Sequence, residues 1–182
     1  MQIKINSMIK NFFFRFSGNF LYSLLKRAGE KKNSLLCDLY FPKKCRSTDK
    51  VLSTINDIYT FLENKEFINE KNRIDTYIKS IIFIDDRICS SWNRSGGIII
   101  ELDSSFSENF FYVLGILVWY SHCLEYWSKN KSLSYIKRTA KASEKLLLFF
   151  ERLEKLDENA KPIGKYFRDL YESRYNRILS KD

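Results

Sequence analysis

Residues 110–127, FFYVLGILVWYSHCLEYW, carry no charge over their first eleven positions, and only His122 and Glu125 bring ionisable character near neutral pH to the remainder. A helix that is apolar on nearly every side needs protein or lipid all round it. Ser105 and Glu108, just upstream, have the spacing of a capping box, with Ser105 at the N-cap and Glu108 at N3. Lys129 and Lys131, just downstream, place positive charge where a helix C-terminus favours it. The rest of the chain must therefore wrap this helix, or a membrane must.

A transmembrane span wants about 20 apolar residues. The stretch 106–127 reaches that length only by taking in Glu108, His122 and Glu125. Trp119, Tyr120, Tyr126 and Trp127 gather at one end, as an interfacial belt would. The neighbouring segments are amphipathic and suited to covering a central helix, so we read it as buried in protein. A peripheral membrane protein is the alternative.

Those neighbours repeat apolar residues at helical spacing. Val51, Ile55, Ile58, Tyr59 and Leu62 form one stripe, stopped at Asn64. A longer helix is expected over 66–92, with Ile74, Tyr77, Ile78, Ile81, Ile82, Asp85, Ile88, Cys89 and Trp92 on one face. The rival for part of it is a buried strand at 80–84. Asn93 to Gly97 is the one clear turn of the body. The run Ile98-Ile99-Ile100 beyond it is β-rich, and residues 80–84 are its candidate partner. From Leu133 onward, Ile136, Ala140, Ser143, Leu147, Phe150 and Leu153 suggest an inner face, with Glu151 and Lys155 as an i, i+4 pair. After a break at 157–159, Pro162 opens a last helix with Ile163, Tyr166, Phe167, Leu170, Tyr171 and Ile178 inward. The expected fold is mainly α. It is a single bundle of about five or six helices around the central helix at 106–128, with one short β element near 98–103.

The net charge of +9 is unevenly placed. Residues 1–50 hold eleven Lys and Arg against three acidic residues, a net of +8, and residues 51–182 hold twenty against nineteen, a net of +1. The chain thus divides into a basic aromatic N-terminal segment and connector, 1–50, and a helical domain, 51–182. Lys4, Lys10, Arg15, Lys26 and Arg27 stand among Phe12, Phe13, Phe14, Phe16, Phe20 and Tyr22 with no acid before Glu30. This pattern fits a first helix docked by its Phe face, an arm for an anionic partner, or a targeting segment. Ser17 to Asn19 reads as a break within it. Lys31, Lys32, Lys43, Lys44 and Arg46 extend the basic character. Lys137, Lys141 and Lys145, with Arg138 beside them, form a positive stripe on the outer side of a helix. Arg15 interrupts the candidate apolar stretch of a secretory signal, so an intracellular chain, cytoplasmic or organellar, is expected.

Little points to catalysis. Gly-rich phosphate loops, HExxH and GxSxG are missing from the sequence. Cys37, Cys45, Cys89 and Cys123 have no zinc-type spacing, so we expect buried reduced thiols, no metal and no cofactor. Asp85, Asp86 and Glu101 flank the turn as a metal-dependent nuclease would require, but the position two beyond Glu101 is Asp103 rather than lysine. His122, the single histidine, has Glu125 at i+3 to orient it and reads as a satisfied, partly buried side chain. The function expected is non-enzymatic. It is that of a helical interaction, assembly or regulatory subunit contacting an anionic protein or nucleoprotein through the N-terminal segment and the Lys137–Lys145 stripe. Direct RNA or DNA binding is the runner-up, followed by the nuclease and the membrane-surface protein.

Overall fold

The run 80–84 decides the architecture. Ser80, Ile81, Ile82, Phe83 and Ile84 are all buried, so the segment needs cover on both sides. A strand inside a sheet, with an element against each face, meets that need. In the computed structural model, which describes residues 18–43, 48–84, 91–92, 96–101, 109–130 and 132–179, this segment is the middle of a five-stranded sheet. The order of described elements is α1 (Gly18–Ala28), β1 (Glu30–Asn33), β2 (Asp38–Phe41), α2 (Thr48–Leu62), α3 (Ile68–Tyr77), β3 (Ser80–Ile84), β4 (Ser91–Trp92), β5 (Gly97–Glu101), α4 (Phe110–Lys129), α5 (Tyr135–Leu156), a 3₁₀ turn (Glu158–Ala160) and α6 (Lys161–Leu179).

The chain is mainly helical, as expected, but the sheet is larger than the single short element anticipated. Its order is β1-β2-β3-β5-β4. Strands β2, β3 and β5 run parallel, and β1 and β4 lie antiparallel at the two edges. Ile81 pairs with Leu39 on one side and Ile98 on the other, and Ile82 with Tyr40 and Ile99. The pairing of 80–84 with the 98–100 run is thus found, in parallel register. The expected helix over 66–92 is not: α3 stops at Tyr77, and Ile78 is extended at φ −95° and ψ 113°. The isoleucines that fitted a 3.6-residue stripe belong instead to a strand buried on both faces. A continuous apolar run does not distinguish these cases.

The two faces of the sheet are covered unequally. Leu39, Phe41, Ile81, Phe83, Ile98 and Ile100 join the main core, which the helices from α2 onward complete. Tyr40, Ile82, Ile84 and Ile99 face the other way and pack with Tyr22 and Leu25 of α1. The part of the N-terminal segment within α1 is therefore a docked helix. Residues 1–17 lie outside the described residues. The Tyr22 hydroxyl hydrogen-bonds to Ser80 Oγ. A side chain at Gly97 would overlap the Tyr22 ring. Gly96 has φ +84°, a region costly for other residues, and its carbonyl accepts from Lys79 N at 2.7 Å. The glycines at the expected turn are thus held by close backbone approach.

The connector is not a simple loop either. Ser34 Oγ accepts from Cys37 N at 3.1 Å and so closes the β1–β2 turn, while Pro42 ends β2. Helix α2 buries Val51, Ile55, Ile58 and Leu62 as expected. Helix α4 is capped by Asn109, whose side chain accepts from Tyr112 N at 3.1 Å. Asn serves an N-cap as well as Ser; the box expected at Ser105 and Glu108 lies outside the described residues. Helix α4 packs against α5, α3 and α2. Its neighbour α5 buries Ala140, Ser143, Phe150 and Leu153 as expected, but its inner face is wider, taking in Thr139, Leu146 and Phe149, while Ile136 is 44% exposed. In α6, Ile163 and Phe167 are buried and Tyr166 is 39% exposed. No helix among the described residues is long and apolar enough to cross a membrane.

Candidate functional site: a charged groove between α3, α4 and α5

A concavity lined by ionisable groups lies where three helices converge. Helix α3 supplies Glu70 and Arg73, one helical turn apart and therefore on one face. The C-terminal half of α4 supplies His122, Glu125, Tyr126 and Lys129. The middle of α5 supplies Lys145, Glu151, Arg152 and Lys155, with Leu148 among them. They line an open groove of about 600 Å³.

Glu125 is its hub. It accepts from Arg73 Nε at 2.8 Å and from Lys129 Nζ at 2.8 Å. Burial works to raise the Glu125 carboxyl, but the hydrogen bonds from Lys129 and Arg73 outweigh it and hold the group below its ordinary value. His122 Nδ1 stands 3.8 Å from the same carboxylate, beyond hydrogen-bond reach. The expected His122–Glu125 pairing is therefore only an approach. The imidazole is 6% exposed. Burial, then the positive Arg73 and Lys145, push its pKa down to about 4 against the opposing pull of Glu125. It is neutral near pH 7, and its ring faces the groove. Glu70 is also 6% exposed. Arg152 hydrogen-bonds to its Oε1. Glu70 Oε2 and Arg73 Nη1 are buried with no hydrogen-bond partner among the described residues. Such groups are costly and sparse in folded proteins. Lys145 and Lys155 make no ion pair among the described residues, although Glu151 is in the groove too.

A second cleft, of about 290 Å³, lies on the other side of α4 and α5 toward α6. Tyr112, Ile116, Trp119, Leu147, Phe167 and Tyr171 line much of it. Trp119 Nε1 donates to Ser143 Oγ at 2.9 Å there.

The sequence-derived candidates are scattered by comparison. Lys26 lies over the Tyr40 ring at 4.9 Å, and Arg27 is exposed near the end of α1. Lys31 and Lys32 are on the edge strand β1, paired with Asp38 at 2.8 Å and Glu30 at 2.9 Å. Lys43 is exposed after β2. Lys137, Lys141 and Lys145 are exposed on α5. Arg138 is used locally: its guanidinium stacks on Trp127 at 4.5 Å and Nε donates to Asn130 O at 3.0 Å. Lys4, Lys10, Arg15, Lys44 and Arg46 lie outside the described residues. So do Asp85 and Asp86, the nuclease candidates. Glu101 ends β5, and its backbone pairs with Ile84. No cluster of three or more metal-ligating side chains occurs among the described residues. Cys37 and Cys123 are free thiols, half-buried and buried. Burial pushes the Cys37 thiol up to about 12 and the Cys123 thiol well above its usual range. Cys45 and Cys89 lie outside the described residues.

Sequence reasoning singled out His122, Glu125 and Lys145 but not Glu70, Arg73 or Arg152. One signal existed: Glu70 falls on the same helical stripe as Phe67 and Ile74, both buried, where a carboxylate is out of place. The chain matches no protein family, no curated protein and no solved structure.

Proposed function

We propose that this chain is a binding component rather than an enzyme, a helical interaction subunit whose partner is an anionic protein or nucleoprotein. The observation that carries this reading is the uncompensated charge on α5. Lys141 and Lys145 are exposed there without an ion pair among the described residues, and Lys137 is exposed one turn before them. Helix α6 pairs three of its outward cations. Lys161 pairs with Glu158 at 2.8 Å, Arg168 with Glu154 at 2.9 Å, and Lys165 with Asp169. A cation with an intramolecular partner has already neutralised its field, while Lys141 and Lys145, unpaired among the described residues, keep theirs available for a partner. The net charge of +8 on residues 1–50 adds to the same field.

The test is retention of the full chain on single-stranded RNA, duplex DNA and polyglutamate at low salt. Binding is expected, and replacing Lys137, Lys141 and Lys145 together by Gln is expected to weaken it. Direct nucleic-acid binding further requires affinity to fall steeply with salt, roughly one power of salt concentration per phosphate contacted. Absence of retention on all three polyanions rules out the proposal.

A further inference from the structure

We propose that the groove between α3, α4 and α5 is a small-molecule site for a phosphate monoester that also carries a hydroxyl group, the chemistry of sugar phosphates and nucleoside monophosphates. The inference does not require the macromolecular partner proposed above, although Lys145 belongs to both surfaces.

Charge selects the anion. The groove is lined by five cations (Arg73, Lys129, Lys145, Arg152 and Lys155) and three carboxylates (Glu70, Glu125 and Glu151), with His122 neutral. Two positive charges are left over, the number that a phosphate monoester dianion cancels. Their placement also suits a phosphate. Among the described residues Lys145 has no ion-pair partner, and Arg73 spends Nε on Glu125 but leaves Nη1 unbonded. A guanidinium edge with a lysine beside it is a common phosphate-binding pair.

The hydroxyl is selected by the acceptors. Glu70 Oε2 is a buried carboxylate oxygen without a donor, and His122 makes no hydrogen bond to any described residue. A ligand that is anionic throughout would leave Glu70 unanswered and add repulsion, whereas a hydroxyl donates to it. Arg152 and Lys129, which pair with Glu70 and Glu125, have side chains 51% and 63% exposed. The volume of about 600 Å³ lies within the range of small-ligand sites, roughly 300–1,000 Å³.

The single histidine gives a direct readout, since only one imidazole resonates in the spectrum of the full chain. Ribose 5-phosphate is titrated at low ionic strength while the His122 carbon–proton resonances are followed. A saturable shift is expected, with ribose alone giving none and inorganic phosphate binding about tenfold more weakly. Lys145→Ala is expected to weaken binding about tenfold. Lys141→Ala, on the same helix but outside the groove lining, is expected to leave it unchanged. Glu70→Gln is expected to narrow the preference for the ester over phosphate. A nucleoside monophosphate and glycerol 3-phosphate, titrated in parallel, rank the sugar and base contributions. Unmoved His122 signals at millimolar concentrations of all three esters overturn the site. Equal losses in Lys141→Ala and Lys145→Ala overturn it as well, because they reduce the effect to surface charge. Equal binding of phosphate and ester overturns the hydroxyl part.

Discussion

The α4–α5 pair is flanked by two regions of opposite chemistry. Toward α6 lies an aromatic seam: the Phe167 ring stacks on Tyr112 at 5.9 Å and tilts against Phe150 at 5.3 Å. Gly115 makes this possible, since a side chain there would overlap Phe167. Toward α3 lies the groove, with a buried unpaired carboxylate oxygen, a buried unpaired guanidinium nitrogen and a neutral buried imidazole. The seam gains free energy by excluding water. The groove loses it, because its groups give up solvation that protein partners only partly return. Two regions that share helix α4 therefore have different tasks. The seam holds the helices together, and the groove keeps hydrogen-bonding capacity that the fold itself does not use.

The contrast breaks most readily at Phe167. Phe167→Ala removes a ring that is 6% exposed, and such core truncations cost about 3–5 kcal/mol. Urea denaturation measures this, and a loss below about 1 kcal/mol would mean that the seam is not a core. Gly115→Ala should also destabilise, by forcing the Phe167 ring to move.

The groove should show itself in the pH dependence of stability. His122 has a folded pKa of about 4, against about 6.5 in an unfolded chain. Between these values the unfolded state holds more protons, so stability falls as pH drops through that window and is unaffected by this group above it. The penalty is of the order of 2 kcal/mol once partial access of solvent to the groove is allowed for. Carboxylates titrate at the lower end of the same window. The quantity to compare is therefore the difference in slope between the natural chain and His122→Gln. Equal slopes would show that the imidazole is solvated.

Arg73→Ala comes next. It takes one of two cations from Glu125 and leaves Lys129 in place. A loss of about 1–2 kcal/mol is expected from the hydrogen bond to a charged group. A double-mutant cycle with Glu125→Gln isolates the pair. A larger loss than that of Phe167→Ala would invert the comparison.

Local signals in the sequence located the helices well and the site poorly. Val51, Ile55, Ile58 and Leu62 announce α2 because one face meets the core and the other meets water. The stripe through 81 and 82 misleads, because a strand buried on both faces shows no alternation, and its isoleucines also satisfy a helical period. The pairing of β2 with β3 joins residues about 40 positions apart, which local pattern cannot announce. The groove is harder still. His122 and Glu125 share one helix and are visible together, but Arg73 reaches Glu125 across 52 positions and Arg152 reaches Glu70 across 82. Only the packing of α3 and α5 against α4 brings those charges into one site. Glu70 alone carried a warning, as a carboxylate on an apolar stripe.

Lys145 separates the two regions by the smallest perturbation. Its side chain is exposed and unpaired among the described residues, so Lys145→Ala should change stability by no more than about 0.5 kcal/mol. It should nevertheless alter the chemistry of the groove. The groups facing His122 are Arg73 from α3, Lys145 from α5, and Glu125 and Tyr126 from α4 itself. Arg73 and Lys145 oppose its protonation and Glu125 favours it. With Lys145 removed, the His122 pKa should rise from about 4 toward its ordinary value, as followed on the unique imidazole resonance. Lys141→Ala, one turn away and outside the lining, should leave the titration in place. An unchanged titration in Lys145→Ala would mean that the Lys145 charge does not reach the imidazole, and that burial and Arg73 alone hold its pKa down. The groove would then be built by the ion pairs of Arg73 with Glu125 and Arg152 with Glu70, with Lys145 outside it.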